Sequence, residues 1–154
     1  MIANRFVSTF LALGLALAPT ALIAAPAQKH SGTIELTLDH GKKWPTDAAL
    51  RNGMNEIRAT MADAIPSIHA DKFSPDSYKG LAQQVQAQVD GIVANCKLPE
   101  AADQQLHLVL EQILDGIAVM NSDARQAEGA GKVVQALDQY GAHFDHAKWR
   151  PLER

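Results

Sequence analysis

Four segments of the sequence repeat apolar residues every three or four positions, which is the spacing that places them on one face of an α-helix. The segments span residues 45–65, 74–96, 99–120 and 131–150, and residues 121–130 are polar or small enough to predict a loop. Short connections between four such helices predict an all-α fold, an antiparallel up-down-up-down four-helix bundle. The apolar stripes are Leu50, Met54, Ile57 and Met61; Tyr78, Leu81, Val85, Val89, Ile92 and Cys96; Ala102, Leu106, Val109, Leu110, Ile113, Ile117 and Met120; and Val133, Leu137, Tyr140 and Phe144.

Capping residues and prolines predict where these helices begin and end. Thr46 or Asp47 can cap the first helix, because a short side-chain oxygen accepts an unpaired amide of the first turn. The pair Ser74-Pro75 predicts the start of the second helix, and Pro99 precedes the third. Pro66 predicts a bend or an end in the first helix, since proline lacks the amide that a helix interior needs.

Residues 33–39 alternate between apolar and polar, a period of two that indicates extended backbone. Ile34, Leu36 and Leu38 share one side of that segment. A single short strand cannot form a sheet alone. We therefore expect residues 28–44 to form an extended arm and a turn that pack on the bundle, which itself spans residues 45–154.

Residues 1–27 have the pattern of a cleavable signal peptide. Arg5 is followed by an apolar run over residues 6–25, and Ala25-Pro26-Ala27 fits the small-x-small cleavage motif. A membrane anchor is the alternative, since about 20 apolar residues suffice to span a bilayer, but Pro19 and the small residues near Ala27 favour cleavage. We expect export to the periplasm, cleavage near Ala27 and no stable membrane insertion afterwards.

Charge and cysteine content narrow the function classes. Cleavage would remove Arg5, one of the 14 basic residues, and leave 13 against 17 acidic ones, a net charge of −4. This negative net charge argues against nucleic-acid binding, because proteins bind the phosphate backbone mainly through basic residues. The single cysteine, Cys96, excludes an intramolecular disulfide.

In an antiparallel bundle, one pole collects the residues with candidate chemistry. It would hold Met54, Cys96, His107 and His146, whose thioether, thiol and imidazole groups suit copper or haem iron. Each also has a structural interpretation: a methionine or a lone thiol on an apolar stripe is usually a packing group. The sequence contains no Glu-x-x-His motif, nucleophile elbow, phosphate loop or zinc-protease motif, and we therefore expect no enzyme.

Two short segments resemble the cytochrome b562 family, small periplasmic four-helix bundles that hold non-covalent haem. Met54, within LRNGMNEIR, resembles the axial methionine of that family in placement, and the ending from His146 to Arg150 resembles the ending that contains the axial histidine. Asp145 separates Phe144 from His146, whereas in the family the aromatic residue directly precedes the histidine. The resemblance implies a four-helix bundle and, as one function, haem b ligation by Met54 and His146 for electron transfer.

Three functions are consistent with these features. The first is a non-enzymatic binding or interaction module of the periplasm without a cofactor, with a periplasmic protein partner or a second copy as its partner. The second is a haem b electron-transfer protein that uses Met54 and His146. The third is a copper-binding bundle that uses Met54, Cys96, His107 and His146.

Overall fold

A computed structural model describes residues 35–153, which form an all-α bundle. Its helices are α1 (Ala48–His69), α2 (Pro75–Asn95), α3 (Glu100–Met120) and α4 (Gln126–His143). The predicted signal peptide over residues 1–27 and the first part of the predicted arm, residues 28–34, lie outside the described residues. Within the described part of the chain, no helix is long and apolar enough to cross a membrane.

The capping residues predicted from the sequence begin the first two helices. The Asp47 side chain accepts the Leu50 amide at 2.7 Å, and the Ser74 hydroxyl accepts the Ser77 amide at 3.1 Å. Each cap satisfies an amide that has no partner within its own helix. The starts of α1 and α2 are therefore confirmed.

Helix α1 continues through Pro66 and ends at His69, so Pro66 does not end the helix. Pro66 lies in the last turn, where the loss of one amide affects little of the remaining helix. The Ala70 amide still donates to the Pro66 carbonyl at 3.2 Å.

Helix α4 begins five residues before the predicted start, at Gln126, so the prediction of a loop up to residue 130 is wrong. The segment lacks large apolar residues because it packs through its backbone. A Cβ on Gly129 would lie 2.6 Å from the Gly116 carbonyl oxygen and 2.6 Å from the Met120 amide nitrogen. Gln126 also donates from Nε2 to the Met120 carbonyl at 2.8 Å. Glycine therefore lets the first turn of α4 contact α3 closely.

The C-terminal end of α4 also differs from the predicted helical segment, which extends to residue 150 and includes His146. The helix ends at His143, and Phe144 is extended. Residues 144–153, which we call the tail, leave the helix. The Trp44 amide donates to the His143 carbonyl at 2.8 Å, and the Asp145 amide donates to the Trp44 carbonyl at 2.8 Å. These two bonds draw the backbone away from the helical path, so His146 follows α4 instead of lying on it.

The predicted stripes form one apolar core. It contains all four residues of the first stripe, each 0% exposed, and most residues of the other three. Before α1, Leu36 and Trp44 pack against this core, whereas Leu38 is 43% exposed. The segment before α1 also contacts α3, because the Thr37 amide donates to the Gln105 side chain at 2.9 Å.

Candidate functional site

The residues predicted to share one pole occupy different environments. Met54 is fully buried in the core, and His146 is 9% exposed in the tail. Cys96 is half-buried at the end of α2, and His107 is exposed on α3. Cys96 and His107 line one cavity of about 260 Å³, together with Asp103 and apolar neighbours. His146 lines a separate cavity of about 500 Å³, and Met54 is not among the residues that line it.

His146 belongs to a cluster of rings at the end of α4. Its Nδ1 lies 2.9 Å from the Tyr140 hydroxyl. The Tyr140 ring stacks on Phe144 at 5.2 Å between centroids, and its edge contacts Trp149 at 4.9 Å. We call Tyr140, Phe144, His146 and Trp149 the aromatic cluster. It fixes the tail on α4 through ring contacts and one buried hydrogen bond.

The hydrogen bond between Tyr140 and His146 determines the tautomer of His146. The Tyr140 hydroxyl is buried and has no other hydrogen-bond partner within residues 35–153. Burial raises the pKa of Tyr140, so its proton stays on the oxygen. The hydroxyl therefore donates to Nδ1, and the neutral imidazole holds its proton on Nε2. Burial, and to a lesser extent the nearby Arg51 guanidinium, lowers the pKa of His146 and favours this neutral form.

This tautomer opposes metal ligation by His146. A metal would need the lone pair of Nε2, which would move the proton to Nδ1 and leave the Tyr140 hydroxyl hydrogen without an acceptor. An unpaired buried hydroxyl costs about 1–3 kcal/mol. Ligation by Met54 would also be unfavourable, because a ligand could reach its sulfur only if the packed core opened.

The Cys96 thiol lies beside an acidic group. It donates to the Asp47 carboxylate, which also accepts the amides of Leu50 and Lys97 at 2.7 and 2.6 Å. Burial, together with the charges of Asp47 and Asp103, raises the pKa of Cys96 to about 11. The thiol is therefore protonated at neutral pH and is a weak nucleophile and metal ligand. Within residues 35–153, no group of three or more histidine, cysteine, aspartate or glutamate side chains is placed to hold a metal ion.

A larger cavity, which no pattern in the sequence predicted, lies between the C-terminal half of α1 and the N-terminal half of α4. Its volume is about 660 Å³. We call it the groove. Its apolar lining consists of Met61, Ile65 and Ile68 of α1 and Ala127, Ala130, Gly131 and Val134 of α4. Small side chains on α4 face larger ones on α1, and this difference in size leaves the space open.

The rim of the groove is polar and carries two acidic groups. It contains His69, Asp71, Gln135 and Glu153, and no lysine or arginine is among the lining residues. The tail reaches this rim: Arg58 of α1 donates to the Arg150 carbonyl, Leu152 is 7% exposed in the core, and Glu153 follows. The tail thus contacts both α1 and α4 and ends beside the groove.

Comparisons with family models, with curated proteins and with solved structures return no match. The four-helix architecture agrees with the fold implied by the resemblance to cytochrome b562, but no family match supports that family in particular.

Proposed function

We propose that this protein is a non-enzymatic binding module of the periplasm that holds an apolar ligand in the groove. The observation that supports it is a cavity of about 660 Å³ with an apolar lining and a polar rim. Ligand sites of proteins have volumes of about 300–1,000 Å³ and combine an apolar lining with a few polar groups. The signal-peptide pattern of residues 1–27 supports the compartment.

We also propose the antiparallel up-down-up-down order for the bundle. Three contacts support it. Gly53, near the start of α1, faces Ile92 near the end of α2, and Gly129, at the start of α4, faces Gly116 near the end of α3. The segment before α1 bonds to the last residue of α4. In this order the C-terminal half of α1 and the N-terminal half of α4 lie side by side and enclose the groove.

A titration with N-phenyl-1-naphthylamine, a neutral apolar dye that fluoresces in apolar surroundings, tests the proposal. Gly131 offers a way to fill the groove, since no heavy atom lies within 4 Å of a Cβ built there. We expect saturable binding by the wild type and a loss of about tenfold or more in affinity for Gly131→Phe, because the ring occupies the space of the ligand.

Gly91 supplies the matched control. It is a helical glycine of α2, its Cβ position is equally open, and it does not line the groove. Gly91→Phe should bind the dye as the wild type does. Absence of saturable binding, or equal affinity in the two phenylalanine variants, would contradict the proposal.

Copper binding is a second candidate, because Cys96 and His107 line one cavity. The protonated thiol counts against it, since metal binding would have to displace that proton. Titration of the reduced protein with Cu(I) decides the matter: stoichiometric binding that is lost in Cys96→Ser/His107→Ala would favour copper over the groove ligand.

Absorption spectroscopy separates the proposal from the cytochrome interpretation. We expect the exported protein to show no Soret band and to take up no haem, because ligation through Nε2 would put the imidazole proton on Nδ1 and leave the Tyr140 hydroxyl hydrogen without an acceptor. A Soret band that disappears in Met54→Ala would establish haem ligation instead.

A further inference from the structure

The rim of the groove carries two carboxylates that form no ion pair within residues 35–153, although the charge of Asp71 adds to the effect of burial in raising the pKa of Tyr78. Asp71 follows the end of α1, and Glu153 lies near the end of the tail. Neither side chain makes a hydrogen bond or an ion pair within residues 35–153. Asp71 and Glu153 therefore keep their negative charge available at the mouth of an apolar cavity.

The other groups that line the groove do not neutralise these charges. His69 is exposed, and Gln135 is uncharged. The nearest basic group along the tail in the described residues, Arg150, lies three positions before Glu153, and its carbonyl is held by Arg58. The remaining lining is aliphatic, methionine or glycine. The cavity thus combines an apolar interior with an anionic entrance.

We propose that the ligand of the groove is a cationic amphiphile, an apolar chain that carries an amine or ammonium group at one end. The chain would replace water against Ile65, Ile68 and Val134, which burial of apolar surface favours at about 25 cal/mol per Å². The ammonium group would remain at the entrance between Asp71 and Glu153, partly in water. This inference rests on the proposed function, because it assigns a ligand class to the same groove.

Charge complementarity selects this occupant over the alternatives. A fatty acid would place its carboxylate beside two like charges, and a neutral chain would leave them unpaired. Attraction between unit charges in water is about 1 kcal/mol at 4 Å. Two carboxylates at an exposed entrance should therefore produce a preference of about three- to tenfold for the cation, and added salt should weaken it.

Decylamine, decanol and decanoate each contain ten carbons and carry a positive, a neutral and a negative head group, so they provide a matched set of ligands. The test measures how each displaces N-phenyl-1-naphthylamine from the full exported protein at neutral pH and low salt. We expect decylamine to displace the dye at about three- to tenfold lower concentration than decanol, and decanoate to be the weakest of the three.

The double variant Asp71→Asn/Glu153→Gln should lose this ranking while it keeps its affinity for decanol. Asparagine is a suitable replacement at position 71, because Asp71 has a φ of +54°, in the left-handed region that asparagine tolerates. Glu111→Gln is the control, since it removes one exposed carboxylate from α3, which does not line the groove.

The outcomes separate the two proposals. Displacement by all three ligands with equal strength, or a ranking that survives in the double variant, would overturn the cation preference and leave the groove as an apolar site. If the wild type binds none of the ligands and no dye, the proposed function itself fails. A ranking that Glu111→Gln also abolishes would assign the preference to overall charge and would overturn the role of the rim.

Discussion

Helices α1 and α4 pack against each other differently at their two ends. Where the start of α1 meets the end of α4, the aromatic cluster packs four rings around one buried hydrogen bond. The cavity beside His146 in this half is lined by α4, the tail and Lys43, and by no residue of α1. In the other halves, small residues of α4 face α1 across the groove. Under the proposed function, the filled half stabilises the bundle, and the open half provides the volume that the ligand occupies.

The largest expected effect is a difference in stability between the two halves. Phe144 is 1% exposed in the aromatic cluster, whereas Ile68 is half-buried beside the groove. We expect Phe144→Ala to lower the free energy of unfolding by about 3–5 kcal/mol, because it leaves a cavity in a packed region. Ile68→Ala should cost about 1 kcal/mol, since that side chain already borders open space. Urea denaturation of both variants measures the difference, and equal losses would break the comparison.

Removing the buried hydroxyl should have the next largest effect. Tyr140→Phe leaves Nδ1 of His146 without a donor and should cost about 1–3 kcal/mol in the free energy of unfolding. Tyr78→Phe is the matched control, because Tyr78 is also buried, at 8% exposed, but its hydroxyl makes no hydrogen bond within residues 35–153. Similar losses in the two variants would show that the bond between Tyr140 and His146 contributes no net stability.

The aromatic cluster should also make stability depend on pH. Burial and the nearby Arg51 lower the pKa of His146 below its ordinary value of 6.5. The unfolded chain therefore binds a proton at this residue more readily than the folded chain does, and stability rises with pH. We expect the contribution of His146 to be fully present above pH 6.5 and to be lost as the pH falls below it, toward the lowered pKa of the folded state. Denaturation at pH 8 and pH 5 tests this, and His146→Gln should reduce the dependence.

If the pH dependence of stability is the same in His146→Gln as in the wild type, groups other than His146 cause it. Asp47 is the main alternative at lower pH. Partial burial alone would raise the pKa of Asp47, but the amides of Leu50 and Lys97 and the Cys96 thiol donate to the carboxylate and bring its pKa below the ordinary value. Its contribution is present above pH 3.8 and is lost as the pH falls through the lowered pKa. The two groups therefore act in different ranges of pH.

The sequence predicted the features of the fold that depend on local chemistry. The apolar stripes gave four helices, and Asp47 and Ser74 marked two starts because a cap needs only one side chain and one nearby amide. The start of α4 was missed because it depends on the approach of Gly129 to Gly116, which are distant in sequence. The position of His146 depends likewise on bonds between Trp44 and the end of α4.

The candidate site was harder to predict than the fold. Met54 and His146 were candidates because their side chains can bind metals. In the structure, Met54 is packed in the core and His146 is hydrogen-bonded to Tyr140, which the sequence had indicated only as a residue of an apolar stripe. The groove depends on absent side-chain volume at Ala127, Ala130 and Gly131, and small residues in a helix also occur where two helices pack closely. Periodicity cannot separate these two cases, because it records which face is apolar and not how much space that face leaves.

The smallest expected effect compares two glycines of α4, one in each half. A Cβ on Gly141 would clash with Nε1 and Cδ1 of the Trp149 indole, whereas a Cβ on Gly131 would meet nothing within 4 Å. Glycine inside a helix costs about 0.5–1 kcal/mol relative to alanine. Gly131→Ala should therefore stabilise the protein by about that amount, and Gly141→Ala should destabilise it, because the indole must move away from Tyr140. Thermal denaturation gives the two signs, and the fluorescence of Trp149 should change in Gly141→Ala alone. If both variants gain stability, the indole is not held against α4, and the contrast between a filled half and an open half does not apply.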